Sequence, residues 1–237
     1  MTAENILFLG DDYKLTENIS VRQPTVSEIL RFDENKYYSL VSIFTSSPFD
    51  MIAQLDSIGI DFTKITSYQM FCLFLPSLKR EETSILFGDT DFSRFRTVKD
   101  SDNIVTATDG KSFFSEQIYM LNAEYLRKMN NLPPQKYKKV GNEATKKRLI
   151  QYAYDDLQKS SRKKNKSFFL DCLSFCNAVS GGNYTEILQM PVYVFLDMVK
   201  RNCALKYTEI LYNGIYSGCV DLSKINKKEL DFVRSLS

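Results

Sequence analysis

The residues able to do chemistry in this chain are few, and what is missing narrows the field more than what is present. None of the 237 residues is a histidine. The commonest general base is therefore absent, and with it the proton acceptor of every Ser-His or Cys-His arrangement. Cys172 and Cys176 lie four apart and would share one helical face, a spacing open to a metal pair. With no histidine and no CxxC to complete a ligand set, small core residues are the plainer reading. The five cysteines (Cys72, Cys172, Cys176, Cys203, Cys219) are an odd, scattered set with mostly apolar neighbours, which fits free thiols in a reducing compartment better than a disulfide framework. Asp89, Asp91, Asp102 and Asp109 could be offered as cation ligands, but they lack the dense alternation and closing glutamate of a calcium loop, and turn chemistry accounts for them. Phosphate-loop, dinucleotide, nucleophile-elbow and zinc-protease motifs are absent. The expectation is a protein that is not an enzyme and uses no cofactor and no metal.

One stretch does carry a chemical bias. From Gln135 to Lys166 the chain holds eleven Lys or Arg against three acids (Glu143, Asp155, Asp156), a local +8, so the remainder must be near −6 to give the overall +2. Phosphate binding is mostly Lys and Arg work, so a nucleic-acid partner is one reading. The other is a solvated linker and helix (Leu149, Ile150, Ala153, Leu157) that presents charge to water or to an acidic protein partner. With no binding motif beside the charge, a protein partner is preferred. The candidate contacts are Lys146, Lys147, Arg148, Arg162, Lys163 and Lys164.

The elements that must position these residues read as mainly helical. The longest helical periodicity runs from Tyr184 to Leu211, with Leu188, Val192, Phe195, Leu196, Val199, Cys203, Tyr207 and Ile210 on one face. Pro191 interrupts it. Either Thr185 caps one kinked helix, or a separate turn precedes a main helix with Pro191 in its first turn; the second is preferred, because a missing N–H costs nothing there. Ahead of this helix, Phe168 to Val179 is apolar nearly all round and reads as a buried helix. Capping boxes at Thr25/Glu28 and Thr66/Gln69, caps at Asp33 and Ser115, and a Ser47-Pro48 start each open a helix, while Gly59 and Pro76 close two of them. In the helix after Ser115, Ile118, Leu121, Tyr125 and Met129 should face inward. Strand candidates are Ile6–Leu9, Ile19–Val21, Ile85–Phe87, Phe95–Val98, Ile104–Thr108 and Lys111–Phe114, with Asp109-Gly110 the strongest hairpin signal. A third capping box at Asn226/Glu229 opens a last helix over Leu230, Val233 and Leu236.

The fold class expected is therefore α+β, predominantly α-helical, with short N-terminal strands and a small antiparallel insert at about 85–114. The organisation expected is an N-terminal helical region (1–132), a basic linker and helix (133–166) and a C-terminal helical region (167–237) packed on the first as one compact unit. Hydrophobic content of 43% with 25% charged residues is ordinary for a soluble globular chain. No window approaches 18 apolar residues in a row, and the N-terminus lacks a basic lead into an apolar run, so a soluble protein with no membrane partner is expected.

The order of pieces resembles a known group. A β entry ending in QPTVSEIL, then SPFDMIAQLDSIGIDF, SYQMFCLF, an insert with ILFGD, a basic middle, and finally MPVYVFLDMVKR and YNGIYSGCVDLSKINKKELDFV are similar to the tail-region proteins of long-tailed phages and prophages of low-GC Gram-positive bacteria. Proteins of that group are usually taken to be tail assembly chaperones. The resemblance implies a non-catalytic protein of the host bacterial cytoplasm that binds the tape measure protein, the tail tube protein or both. It carries no catalytic residue. A structural component of the virion tail or baseplate is the first alternative and a nucleic-acid-binding phage protein using residues 135–166 the second; a homo-oligomer is compatible with each.

Overall fold

A computed structural model describes residues 2–99, 105–135, 139–161, 166–232 and 234. The chain opens with a helix, α1 (Ala3–Leu9), where the apolar run Ile6–Leu9 had suggested a strand. The Thr2 hydroxyl accepts from the Asn5 amide at 3.3 Å, and Gly10, at φ 74, ends the turn in the left-handed region. Those two caps at either end of seven residues outweigh the strand propensity of the run. The pairing falls instead to β1 (Tyr13–Lys14) and β2 (Ser20–Val21), antiparallel with Tyr13 opposite Val21.

The punctuated helices follow as the sequence spells them. The Thr25/Glu28 box opens α2 (Val26–Phe32), and Asp33 caps α3 (Glu34–Thr45) by accepting from the Asn35 and Lys36 amides. After a 3-10 turn at Pro48–Asp50 come α4 (Ile52–Ser57), closed by Gly59 at φ 73, and α5 (Ser67–Phe74), opened by the Thr66/Gln69 box. The next helix, α6 (Arg80–Phe87), takes in Ile85–Phe87, which had also read as a strand. A short apolar run fits a buried helix end as well as a strand, and here the polar lead from Arg80 gives it helical length. The sheet is therefore smaller than expected: β3 (Arg96–Lys99), β4 (Val105–Thr108) and β5 (Phe113–Phe114) pair antiparallel in that order, with Arg96 opposite Thr108 and Ala107 opposite Phe114. Asp109 makes the turn between β4 and β5, its carboxylate accepting from the Lys111 and Ser112 amides at 2.9 and 2.7 Å. Among the described residues the helices that follow are α7 (Glu116–Met129), α8 (Glu143–Ser161), α9 (Phe168–Ser180), α10 (Tyr184–Leu188) and α11 (Val192–Tyr216). The protein is thus predominantly helical α+β.

The core is aromatic. Phe44 of α3 meets Phe71, Phe87, Phe92 and Phe114 at centroid distances of 4.6 to 6.5 Å, which joins α3, α5, α6 and the sheet in one cluster. Tyr68 is buried in the same region, and its hydroxyl donates to the Phe114 carbonyl at 2.6 Å while accepting from the Ala107 amide at 3.0 Å, so the sheet is bolted to α5. Tyr37 donates to Asn130 at 2.8 Å across α3 and α7. A second, smaller cluster of Ile52, Leu55, Phe62 and Met70 is covered by Leu149, Ile150 and Ala153 of α8. These are the apolar positions expected of the basic helix; Leu157, counted with them, is 42% exposed.

The C-terminal helices depart from expectation in phase. Pro191 separates α10 from α11, as the preferred reading has it, but stands at the N-cap in extended backbone and not in the first turn. It sits in extended backbone that bonds to the 24–26 segment: the Val192 amide donates to the Pro24 carbonyl at 2.9 Å and the Val26 amide to the Met190 carbonyl at 3.1 Å. α9 is amphipathic and not buried all round; Phe169, Cys172, Leu173 and Cys176 face in, whereas Phe168 and Leu170 are about half exposed. In α11 only the first half enters the core. Val192, Phe195 and Leu196 are buried and Val199 half-buried, as is Leu188 of α10, but Cys203, Tyr207 and Ile210 are exposed. The second half is an arm, packed mainly against the 3-10 turn Lys227–Leu230. That turn stands where a last helix was expected: Asn226 caps it from the Lys228 amide without a reciprocal glutamate bond, and Val233 and Leu236 lie outside the described residues.

Candidate apolar groove

The site begins with α7, whose apolar positions outnumber what one face can bury. Tyr119, Asn122, Ala123, Tyr125, Leu126 and Met129 face the core. Leu121, expected to face inward, turns out with Met120; both are about half exposed. Ile118, Tyr125 and Met129 do face the core as expected; Leu121 alone departs, because the run Tyr119-Met120-Leu121 offers three apolar side chains to a stripe that accepts one of them. The surplus pair forms one wall of a groove of about 1050 Å³. Phe49 and Phe62, in an edge-to-face pair 5.3 Å apart, line it together with Ile65, Leu132 and Pro134, Phe62 from a buried position.

Local hydrogen bonds fix these walls. Arg127 donates from one amino nitrogen to the Pro133 carbonyl at 2.6 Å and from the other to the Thr45 carbonyl. The chain leaving α7 is thereby tied to the end of α3. Gln135 donates to the Ser67 hydroxyl at 3.0 Å and closes the end. Lys128 pairs with Glu124 at 2.9 Å, one turn apart on the rim. Among the described residues, Glu116 and Arg127 are the lining charges without an ion pair, Arg127 being held by the two carbonyls.

The basic helix meets the groove at its flank. Lys146 pairs with Asp61 at 2.8 Å, and Asp61 also accepts from the Thr63 amide and hydroxyl at 3.0 and 2.7 Å. The bonds from Lys146 and Thr63 hold the Asp61 carboxyl well below the usual carboxylate range. Its neighbours Phe62 and Thr63 line the groove, so the salt bridge joins α8 to the groove wall. Tyr154 adds a hydrogen bond to Asp56 of α4 at 3.1 Å. Of the six basic residues singled out from sequence, Lys146 is thus engaged within the chain, Lys147 and Arg148 project to solvent, and Arg162, Lys163 and Lys164 lie outside the described residues.

The other candidate chemistry resolves into structure. Asp91 caps the 3-10 turn Phe92–Arg94 and pairs with Arg94 at 3.0 Å, Asp89 pairs with Arg80 at 2.9 Å, and Asp102 lies outside the described residues. Asp89, Asp91 and Asp109 line a polar cleft of about 400 Å³ together with Asp12, Arg22 and Arg94. Among the described residues no group of three or more His, Cys, Asp or Glu is placed to hold a metal ion. Burial pushes the Cys172 thiol up to about 11, and Cys176 is raised for the same reason, so neither is a thiolate near neutral pH. All five cysteines are free thiols. Among the described residues no helix is long and apolar enough to cross a membrane.

Compared with known families, curated proteins and solved structures, the chain shows no match to any of them. The groove was not legible in the sequence. Its one signal is the excess of apolar positions on α7 over a single stripe.

Proposed function

We propose that this protein is a non-catalytic binding protein whose groove holds the apolar face of a helix from a partner protein. The observation that supports this is the groove itself: 1050 Å³, walled by Phe49, Phe62, Ile65, Met120 and Leu121, with a basic helix at its flank. Peptide-binding grooves of this kind take an amphipathic helix through anchors spaced three and four apart. Lys147 and Arg148 would steer acidic segments toward it, an effect on association rate that falls as salt screens charges beyond about 8 Å.

The resemblance to phage tail-region proteins supplies the partner. The reading is a tail assembly chaperone of the host bacterial cytoplasm that keeps the tape measure protein, or the tail tube protein, soluble until the tube assembles. The test is co-expression of the tape measure protein with the wild-type chain and with Leu121→Asp. Solubility that depends on the wild-type groove supports the reading; a tape measure protein equally soluble alone refutes it. The second reading is a structural component of the tail or baseplate, to which the exposed Tyr207, Ile210 and Tyr216 of α11 would be a contact surface. Stoichiometric recovery of the chain from purified particles would select it.

A further inference from the structure

The basic helix α8 covers an apolar face in the way a partner's helix would. Leu149, Ile150 and Ala153 pack on the cluster of Ile52, Leu55, Phe62 and Met70, Lys146 pairs with Asp61 at 2.8 Å, and Tyr154 donates to Asp56 at 3.1 Å. These five positions recur at steps of three and four, the spacing by which an amphipathic helix is held in a groove.

The contact is lopsided. Beneath the helix, Leu55 and Met70 are fully buried and Ile52 and Phe62 nearly so. Among the described side chains of α8 none is buried, and its three aliphatic anchors are only half-buried. The helices α3, α5, α7 and α9 each bury three or more. The cluster under α8 is also separate from the main core. A helix held on a satellite cluster by half-buried anchors and two polar ties belongs to the low-stability end of a fold, where segments open locally. The face it covers is continuous with the groove, since Phe49, Phe62 and Ile65 belong both to the groove lining and to that cluster.

We propose that α8 is an autoinhibitory strap: it occupies a helix-docking face built on α4, Phe62 and Met70, and yields that face to an amphipathic helix of a partner. The helix already seated specifies the occupant. It has a basic residue, aliphatic anchors three, four and seven positions on, and a hydroxyl at the eighth, because Asp61 and Asp56 receive the two polar groups. Opening of α8 would lengthen the groove available to a client. That regulation rests on the groove's being the client site, whereas the docking face and its strap do not.

The test uses a fluorescein-labelled peptide with the sequence of Glu143–Ser161, read by anisotropy against the full chain. In the wild type α8 competes from within the chain at an effective concentration on the order of millimolar, so the peptide should bind weakly. Leu149→Asp together with Ile150→Asp in the chain frees the face without altering it, and this chain should bind the peptide about tenfold or more tightly than the wild type. A peptide carrying the same two substitutions should bind neither chain, and a Lys146→Glu peptide should bind the freed chain more weakly than the native peptide, because Asp61 would meet a second carboxylate. In the wild type, α8 amides should exchange with solvent well before those of α5, which gives Met70 to the same cluster. Lys146→Ala with Tyr154→Phe cuts the polar ties and keeps every aliphatic anchor. It should bind the peptide with intermediate affinity and exchange faster in α8, and it carries the test if the freed chain does not melt like the wild type. A freed chain that binds the peptide no better than the wild type, a doubly substituted peptide that binds as well as the native one, or α8 amides that exchange in step with α5 would each overturn the strap. Peptide binding that persists where the tape measure co-expression fails would support the strap and remove its client; the reverse pair of results would keep the groove and overturn the strap.

Discussion

Phe195 and Ile210 occupy the same face of α11 by sequence period and opposite environments in the fold, so truncating each one separates the packed half of the helix from the arm. Phe195 is fully buried and stacks on Phe169 of α9 at 5.5 Å and 18°. Phe195→Ala removes a ring from a close-packed site and should cost about 3–5 kcal/mol, as core Phe truncations do. In a chain of this size each kcal/mol moves Tm by about 2–4 °C, so a fall of roughly 6–20 °C is expected. Ile210 is 67% exposed and fills no cavity, so Ile210→Ala should stay within about 0.5 kcal/mol, near the limit of detection. The measurement is urea and thermal unfolding followed by circular dichroism. Equal losses for the two variants would refute the division of α11 into a core half and an arm, and would restore the single inward face that the periodicity alone suggests.

Three further outcomes follow from named contacts. Asn122 is fully buried with neither amide atom hydrogen-bonded, so Asn122→Leu should raise stability by about 1–3 kcal/mol, checked by the urea midpoint; a loss would show that the amide has a partner. Glu34 of α3 caps α9 from a distance in sequence, accepting from the Ser167 hydroxyl at 2.5 Å and the Phe168 amide at 3.0 Å. Glu34→Ala should cost about 0.5–2 kcal/mol and speed hydrogen exchange in the first turn of α9, while unchanged exchange there would refute the cap. The Asp61 carboxyl is held below its ordinary value of 3.8, so its contribution is complete above that pH and is lost as pH falls below it. Exchange of α8 amides, corrected for intrinsic rates, should rise on acidification below about pH 3.8 and should show no such rise in Asp61→Asn.

What the sequence determined by itself is the local punctuation. Thr25 with Glu28, Thr66 with Gln69, Asp33, Ser115, Gly59, the Asp109-Gly110 turn and Pro191 all act through bonds made within a few residues, so their consequence does not wait for the fold. The predominantly helical class and the inward face of α3, with Tyr37, Leu40, Val41 and Phe44, follow from the same local rules. Tertiary structure decided the rest, because it depends on what lies opposite. Ile6–Leu9 and Ile85–Phe87 are apolar runs that either state could bury, and each became helical because its caps or its polar lead favoured a helix and no neighbouring strand was available among the described residues. Ile210 continues the period of Phe195 but lies beyond the end of α9 and the core, where among the described residues no element comes to cover it. Leu121 and Met120 are apolar in sequence and exposed in the fold because Tyr119 and Asn122 take the inward places beside them. Whether a surplus apolar residue becomes core or groove is settled by the shape of the surface it meets, and that shape exists only once α7, the 47–49 and 62–67 segments and the end at Leu132–Gln135 have come together.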